Sequence, residues 1–431
     1  MRSPTVSLKL NRLREQAREY PERVFTTLHH LVDVKFLREA YRLTRKDAAP
    51  GADKVTVKMY AANLNVNLES LHKRYKEVSY VAPFVRRVWI DKEDGSQRPI
   101  GIPAFEDKIL QRAVAMLLSA IYEIDFYDFS YGFREKRGAH DAIKAVRDGC
   151  YEAKVSTIID ADVSKFFDKI PHDQIRNVLG LRINDGKIIQ LIGRWLKAGV
   201  VEEGRVSYPS CGSPQGGVIS PLIANIFLHH VLDEWFVSQV KPKLKGRSFL
   251  TRFADDFILG CEVESDAQKV MRVLPKRFAK FGLTIHPDKS KMVHFRWPSR
   301  GTVKSRTGSF DFLGFTHYWA KSRNDHWVVK RQTMRKRQAK AMRNIYVYCR
   351  NNRHASIKEQ LKGLREKLYG LYGYYGIRCN YRSLWMIYQH TRECWRKWLS
   401  RRSHTGFINW DKFQAFLDIW KLPEPKIMKQ V

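Results

Sequence analysis

Apolar and polar positions in the first 318 residues follow two different periods. Short runs rich in β-branched and aromatic residues, at 155–160, 248–253 and 257–263, have the composition of strands. Between two of them, the stretch 220–236 (SPLIANIFLHHVLDEWF) spaces its apolar residues as a packed helix does. The pattern predicts a unit of α+β class up to residue 318.

The pattern changes beyond this point. Residues 320–350 carry ten Lys or Arg and a single acidic residue, Asp325, and they contain good helix formers without Gly or Pro. The remainder is rich in aromatic residues and helix formers, with a helix break predicted at 371–381 (LYGYYGIRCNY). We therefore expect a basic, helical C-terminal third after a domain boundary at residue 318.

Two adjacent carboxylates lie between the strand-like runs 248–253 and 257–263. The flanking pattern predicts that Asp255 and Asp256 occupy the tip of a hairpin. Adjacent like charges repel, and burial increases that cost, so either the turn is exposed or a cation lies between the carboxylates. Asp is also a common turn residue, so this pair alone does not identify a metal site.

A second acidic site ends the strand-like run 155–160. The two-residue period of a strand places Ile158, Asp160 and Asp162 on one face. Carboxylates at a strand end, close to a hairpin that carries two more, suit a pair of Mg²⁺ ions, which prefer oxygen ligands shared with substrate phosphates. Both Asp160 and Asp162 remain candidates on this pattern.

Charge and composition favour nucleic acid as the partner. The chain of 431 residues has 78 Lys or Arg against 44 Asp or Glu, a net charge of +34 that suits binding along phosphate backbones. No apolar run is long enough to span a bilayer and the N-terminus lacks a signal-peptide core, so we expect a cytoplasmic protein, with nucleoid association as an alternative. Six isolated cysteines indicate neither a disulfide framework nor a zinc ribbon.

Three motifs occur in one order along the chain: DADVSKFFDKIPH at 160–172, GSPQGGVISPLIANIFLHHVLDEWF at 212–236 and RFADDFILG at 252–260. Together they resemble the palm motifs of reverse transcriptases, and more specifically those encoded by bacterial group II introns. Stretches 46–56 (KDAAPGADKVT) and 85–114 resemble the N-terminal extension and fingers of the same family, and 310–315 (FDFLGF) resembles its primer grip.

The resemblance implies a right-hand polymerase fold, with fingers and palm of α+β class followed by an α-helical thumb. The implied division is an N-terminal extension and fingers at 1–150, a catalytic palm at 151–318, a basic thumb and maturase region at 319–380, and a basic nucleic-acid-binding region at 381–431.

The resemblance further implies that Asp162, Asp255 and Asp256 hold two Mg²⁺ ions, for which Mn²⁺ can substitute, with the backbone carbonyl of Val163 near a metal. Asp162 is preferred over Asp160 because Phe167, five residues later, then falls where the family keeps an aromatic ring. That ring would exclude a 2′-hydroxyl by bulk, whereas the alternative for Phe166 and Phe167 is core packing.

Four further residues are implied to bind the incoming nucleotide. Lys92 and Arg98 would clamp its triphosphate, Gln215 would contact it near the sugar, and Lys289 would protonate the leaving pyrophosphate. Solvated charges on a hairpin or in a turn are the alternative for the three basic residues. Phe253 replaces the tyrosine that usually precedes Ala-Asp-Asp in the family, and we expect activity to persist.

Basic residues of the C-terminal third are predicted to contact nucleic acid. Phosphate contacts position a duplex without reading its sequence, and aromatic residues interleaved with basic ones suit folded RNA. The alternative for the tryptophans of 393–413 is a helix core with a solvated basic face. The candidates are Lys330, Arg331, Arg335, Lys336, Arg337, Lys340, Arg343, Arg396, Lys397, Arg401 and Arg402.

The sequence therefore predicts an RNA-directed DNA polymerase that uses an RNA template, a DNA or RNA primer and deoxynucleoside triphosphates. The resemblance adds a maturase role in splicing and retrohoming, with group II intron RNA and target DNA as partners. No motif of an HNH endonuclease occurs, so DNA cleavage is not expected. The alternatives are a free-standing reverse transcriptase used in DNA repair or phage defence, and an inactive RNA-binding splicing factor.

Overall fold

The computed structural model describes residues 4–91, 95, 97–212, 216–298, 308–403 and 405–429. Helices and sheets are mixed, which confirms the α+β class. Its strands are β1 (Val85–Asp91), β2 (Gln97–Ile102), β3 (Thr157–Ala161), β4 (Val200–Glu202), β5 (Arg205–Ser207), β6 (Ser248–Phe253), β7 (Asp256–Cys261), β8 (Lys291–His294), β9 (Phe310–Phe312), β10 (Phe315–Lys321) and β11 (Trp327–Thr333).

The helices group before, between and after these strands. They are α1 (Pro4–Glu19), α2 (Val34–Leu43), α3 (Val57–Ala62), α4 (Leu64–Lys76), α5 (Phe105–Asp125), α6 (Ala139–Glu152), α7 (Phe166–Lys169), α8 (His172–Gly180), α9 (Gly186–Leu196), α10 (Ser220–Leu228), α11 (Glu264–Ala279), α12 (Arg335–Asn351), α13 (Ile357–Tyr375), α14 (Tyr381–Ser400) and α15 (Trp410–Ile419). Short π-helical segments follow α10 at His229–Glu234 and Phe236–Val240.

Helix α5 lies at the centre of the N-terminal half. Most of its 21 residues are buried, as expected for a helix that is apolar nearly all round. Helices α1, α2 and α3 pack against it, and one hydrophobic core continues from them to the face of the sheet that contains β3 and β7. The candidate acidic site therefore rests on the largest packed core of the protein.

Three sheets are present in the described residues. The N-terminal sheet has strand order β2-β1-β4-β5, and the small sheet has order β11-β10-β9. The hairpin sheet, which carries the acidic residues, has order β6-β7-β3-β8 and is antiparallel throughout. Helix α6 packs against β6 on the opposite side from α5, so the hairpin sheet is covered on both faces.

The prediction of helix from residue 320 is wrong up to residue 333. Strands β10 and β11 form an antiparallel hairpin there, with Phe315 opposite Thr333. Alternate residues of β10 are buried, and Trp319 packs in one core with α6 and the hairpin sheet. A boundary at residue 318 would therefore divide a strand. The predicted break is present, because α13 ends at Tyr375 and α14 begins at Tyr381.

Candidate active site

A two-residue turn carries the first pair of carboxylates. Strands β6 and β7 pair with Phe253 opposite Asp256, which leaves Ala254 and Asp255 as the turn. Ala254 has φ of +57°, in the left-handed region that favours glycine. A non-glycine residue held in this region is strained, and such strain is common where a turn must aim functional side chains.

The strand register brings the second pair of carboxylates to the same edge of the sheet. Strand β3 lies between β7 and β8, with Ala161 opposite Phe257. Because the strands are antiparallel, the next residue, Asp162, comes beside Asp256 at the start of β7. Asp160 lies two residues earlier on the same face, near Lys291 of β8.

Burial and neighbouring carboxylates raise the pKa of Asp256 and of Asp160. Asp256 has surface open to the cleft, but surrounding protein removes part of its hydration, and the charges of Asp255, Asp162 and Asp160 then add repulsion. Together these effects raise the pKa of Asp256 to about 7. Desolvation, with smaller effects from Asp311 and Asp162, raises the pKa of Asp160 to about 6. The site thus concentrates negative charge that a cation would stabilise.

Backbone contacts fix the segment that follows β3. The amide of His286 donates to the carbonyl of Asp162, and the amide of Ser164 donates to the carbonyl of Thr284. These two bonds flank an antiparallel bridge between Val163 and Ile285. In such a bridge the N–H and C=O of the central residue point away from the partner strand, so the carbonyl of Val163 faces away from Ile285.

Three basic side chains surround the carboxylates. The Nζ atom of Lys289 lies 3.5 Å from Oδ2 of Asp162. Arg98 on β2 lowers the pKa of Asp255, although burial raises that pKa overall, and Arg337 on α12 acts in the same direction on Asp256. Residues predicted from three distant segments of the sequence are therefore neighbours of the acidic site.

The two adjacent phenylalanines of α7 have different surroundings. Phe166 is buried against Phe227, with ring centroids 6.4 Å apart, and so packs in the core. Phe167 is only partly buried. Core packing therefore accounts for Phe166, whereas Phe167 packs against the same core and keeps some exposed surface, so its contact with the sugar stays a prediction.

Two of the predicted nucleotide contacts, Lys92 and Gln215, lie outside the described residues. Gly216, next to Gln215, has φ of +109°, and a Cβ atom there would lie 2.4 Å from the carbonyl oxygen of Gly101. Only glycine allows this approach of the loop to β2, the strand that carries Arg98.

A buried polar network supports the turn, and the sequence did not predict it. Arg252 on β6 pairs with Asp233 and donates through Nη1 to both Asn225 and the carbonyl of Ala254. The side-chain amide of Asn225 donates in turn to the carbonyl of Gly132. An arginine within an apolar strand was the available signal, because a buried charge needs a partner.

The predicted nucleic-acid contacts occupy four different settings. Lys330 and Arg331 lie on β11, and Arg331 is buried rather than exposed. On the basic helix α12, all five candidates are exposed: Arg335, Lys336, Arg337, Lys340 and Arg343. On α14, Arg396 stacks on Trp410 at 4.3 Å and Lys397 lies 5.3 Å from the ring of Tyr346.

The remaining two candidates flank the end of α14. Arg401 lies over the ring of Trp398, and Arg402 donates to the carbonyls of Arg353 and Ala355. Trp395 and Trp398 are buried in the core of the C-terminal helices, whereas Trp410 is about half exposed. Core packing thus accounts for two of the three tryptophans.

The donor set fits a hard divalent cation. Within the described ranges, no group of three or more His, Cys, Asp or Glu side chains is arranged to hold a metal ion by itself. Mg²⁺ does not require one, because it takes one or two carboxylates and completes its octahedron with water and substrate phosphates. Asp162, Asp255 and Asp256 offer such oxygens, with no sulfur or imidazole among them.

The family described as reverse transcriptase (RNA-dependent DNA polymerase) matches residues 90–317, which is more than half of the chain. The matched span includes the hairpin sheet, all four carboxylates and Arg98. This family match, on a mixed α and β fold, identifies the class of the protein as RNA-directed DNA polymerase. In the part of the chain that the structure describes, no helix is long and apolar enough to cross a membrane.

Similar proteins indicate which group of reverse transcriptases the chain belongs to. Protein YkfC of Escherichia coli (strain K12) is 33% identical over 308 residues, which cover 63% of this chain and 80% of that protein. Group II intron-encoded protein LtrA of Lactococcus lactis subsp. cremoris is 34% identical over 247 residues, 57% of this chain but only 40% of LtrA. Nuclear intron maturase 1, mitochondrial, of Arabidopsis thaliana is 30% identical over 95 residues, 22% of this chain and 13% of that protein. The chain belongs to the reverse transcriptase family, among the group II intron reverse transcriptases and maturases.

Proposed function

We propose that this polymerase adds deoxynucleotides to a primer on an RNA template, with Asp162, Asp255 and Asp256 as ligands of two Mg²⁺ ions. The observation that carries the proposal is the register of β3 and β7, which puts the end of one strand beside the turn of the hairpin. The raised pKa values of Asp255 and Asp256 support it, because burial first and neighbouring carboxylates second disfavour their charged forms, which added positive charge would stabilise.

When bound, the two ions would activate the 3′-hydroxyl of the primer and stabilise the leaving oxygen of the pyrophosphate. The chain's own residues supply the geometry. The strained turn at Ala254 aims Asp255 and Asp256, and the bridge to Ile285 leaves the carbonyl of Val163 facing away from that loop. Lys289, which lies beside Asp162, would give a proton to the pyrophosphate.

The same proposal includes a pocket for the incoming nucleotide. Arg98 on β2 and Lys92 before it would hold the triphosphate, Gln215 would meet the sugar, and Phe167 would lie beneath it. In this proposal the hairpin sheet belongs to the palm, β1 and β2 to the fingers, α12 and α13 to the thumb, and α14 and α15 to the C-terminal basic region.

Primer extension on an RNA template with deoxynucleotides and Mg²⁺ tests this assignment. Asp162→Asn and the double variant Asp255→Asn, Asp256→Asn keep side-chain volume while they remove the charges, and we expect both to lose extension by at least about a thousandfold. Asp160→Asn is the matched control, because it removes a carboxylate from the same face. Full activity in Asp162→Asn, with loss in Asp160→Asn, would assign the third ligand to Asp160.

We further propose that the protein binds its own intron RNA, assists splicing and, with target DNA, supports retrohoming. The names of the similar proteins LtrA and the Arabidopsis maturase support this role, as does the net charge of +34. Splicing of the flanking intron RNA with and without protein tests it. A coding region that lacks group II intron domains around it would instead favour a free-standing reverse transcriptase.

A further inference from the structure

A basic cavity of about 1040 Å³ lies outside the candidate active site. Its walls are the β10–β11 hairpin, the start of α12 and the segment that leads into α14. Arg147 of α6 contributes from one side. The other cationic side chains of its lining are Arg323, Lys330, Arg331, Arg335, Arg378 and Arg382.

The lining carries strong positive charge. It contains seven cationic residues and no carboxylate. The acids nearest in sequence to the lining are engaged, since Asp148 pairs with Arg147 and Asp325 pairs with Lys321. No described residue forms a hydrogen bond or ion pair with the guanidinium groups of Arg378 or Arg382. Like charges gathered around one cavity repel, and an anionic ligand offsets that repulsion.

The walls of the cavity are fixed before any ligand arrives. The buried side chain of Asn380 accepts from the amide of Thr333 and donates to the Thr333 hydroxyl and to the carbonyl of Tyr375. This residue therefore joins the end of β11 to the segment before α14. Cys379, next to it, has φ of +77°, so this segment is held in a strained conformation. Binding sites are commonly preformed in this way.

An aromatic surface adjoins the cations. Tyr381 lines the cavity and is 46% exposed, and its ring stacks on Trp385 with centroids 6.2 Å apart. Tyr318 of β10, which is partly buried, also lines the cavity. Exposed rings beside basic groups suit unpaired bases, which stack on the ring while the cations contact the phosphates.

Helix α12 separates this cavity from the catalytic carboxylates. Arg335 and Gln338, three residues apart, line the cavity. Arg337 instead lowers the pKa of Asp256, so it faces the active site. At about 100° per residue, Arg337 lies on a different face of the helix from Arg335. The cavity and the polymerase site therefore use different faces of one helix.

We propose that this cavity binds a single-stranded segment of RNA, with phosphates on Arg323, Arg378 and Arg382 and a base on Tyr381. Its volume of about 1040 Å³ lies at the upper end of the range for small-molecule sites, about 300 to 1000 Å³, so the cavity has room for more than one nucleotide. The inference rests on the proposed function only in taking RNA as the partner. It adds a second RNA site, which holds an unpaired strand away from the primer terminus.

Binding of a fluorescent, unpaired 12-nucleotide RNA, measured by anisotropy without deoxynucleotides across a salt series, tests the proposal. The triple variant Arg323→Glu, Arg378→Glu, Arg382→Glu should lose at least about tenfold in affinity, and its salt slope should fall by about 2, since each single-strand phosphate contact contributes about 0.7. The triple variant Lys358→Glu, Lys362→Glu, Lys421→Glu changes the net charge equally at exposed positions outside the cavity. Equal losses in both variants would overturn the proposal.

Two further arms identify the ligand. Tyr381→Ala should weaken RNA binding about fivefold or more, whereas Tyr381→Phe should retain it, because stacking needs the ring and not the hydroxyl. Pyrophosphate should displace RNA no better than chloride of equal ionic strength. Specific displacement would show that the cavity takes a free polyphosphate and would overturn the RNA assignment.

Primer extension distinguishes a failure of the cavity proposal from a failure of the polymerase proposal. With saturating pre-annealed primer and template, the cavity variant should extend at the rate of the native protein. If the native protein does not extend primers but the cavity variant still loses RNA affinity, the polymerase proposal fails and the cavity stands. If extension is normal and RNA affinity is unchanged, the cavity proposal fails alone.

Discussion

Arg252 donates through Nη2 to Oδ2 of Asp233 at 2.6 Å, and neither side chain is exposed to solvent. The same guanidinium donates to the carbonyl of Ala254, so the ion pair is connected directly to the turn that carries Asp255. Asp233 lies in the π-helical segment after α10. Such segments often occur at functional sites, and here one aims a carboxylate at the hairpin.

Asp233→Asn should destabilise the protein by about 3 to 5 kcal/mol, because it leaves the buried charge of Arg252 without its counterion. Extension activity should fall with it, since Arg252 would no longer hold the carbonyl of Ala254. Urea unfolding and primer extension measure the two effects. Glu262→Gln, which breaks the exposed pair with Arg247, is the control and should leave both nearly unchanged. Wild-type stability in Asp233→Asn would show that the pair does not support the turn.

Gly132→Ala should displace the turn at Ala254 and Asp255, because the added methyl group would collide with its backbone. A Cβ atom at position 132 would lie 2.3 Å from the backbone nitrogen of Ala254, and backbone cannot move aside as a flexible side chain can. We expect activity to fall at least about a hundredfold, since a displacement near 1 Å at reacting groups has that effect. Gly370→Ala, in open space on α13, should be active and more stable by about 0.5 to 1 kcal/mol. Equal activity of the two variants would contradict this account.

The local sequence pattern was sufficient to predict the strands that carry the acidic residues, but not the buried residues that hold the turn in place. The runs around Asp160 and Asp255 have the alternation and composition of strands, and the structure has β3, β6 and β7 there. The partner of Arg252 could not be predicted in the same way. Asp233 lies 19 residues earlier on a segment that leaves α-helical geometry, so helical spacing does not give its direction.

The helix propensity of residues 320–333 did not predict their structure. The basic residues there favour helix, but Trp319 and Val329 are buried in a core shared with α6, and the amide of Val329 donates to the hydroxyl of Tyr151. These tertiary contacts select a strand over the local preference, which is worth only fractions of a kcal/mol per residue, ~0.7 at most for ordinary residues. The available signal in the sequence was the alternation along 315–321 (FTHYWAK), whose alternate residues are buried in β10.

Phe167→Ala should relax sugar selection. If the partly buried ring lies beneath the sugar, its removal makes room for a 2′-hydroxyl, and ribonucleotide incorporation relative to deoxynucleotide should rise at least about tenfold. Single-nucleotide addition with each substrate measures the ratio. Phe166→Ala is the control: it should cost about 3 to 5 kcal/mol of stability, because Phe166 is buried, without a change in selection. Unchanged selection in Phe167→Ala would remove Phe167 from the nucleotide site.

Asp107 on α5 should make stability depend on pH. Its buried carboxyl accepts from the hydroxyl of Tyr80, from Nε1 of Trp195 and from the side-chain amide of Gln111. Burial nevertheless raises its pKa from 3.8 to about 6. Between these values the native state holds a proton that the unfolded chain has released. The free energy of unfolding therefore falls by about 3 kcal/mol in total as the pH rises from about 4 to 6. Above pH 6 the contribution of Asp107 no longer changes.

Asp107→Asn removes this titration, so the difference in unfolding free energy between native protein and variant should change only between about pH 4 and pH 6. Urea unfolding at intervals of half a pH unit measures it, and parallel curves would show that Asp107 titrates normally. The residue also reaches the candidate site, because Gln111 accepts from the amides of Val218 and Ile219, just after Gln215. If Asp107→Asn reorients the side-chain amide of Gln111, the variant should raise the KM for deoxynucleotide more than it lowers kcat.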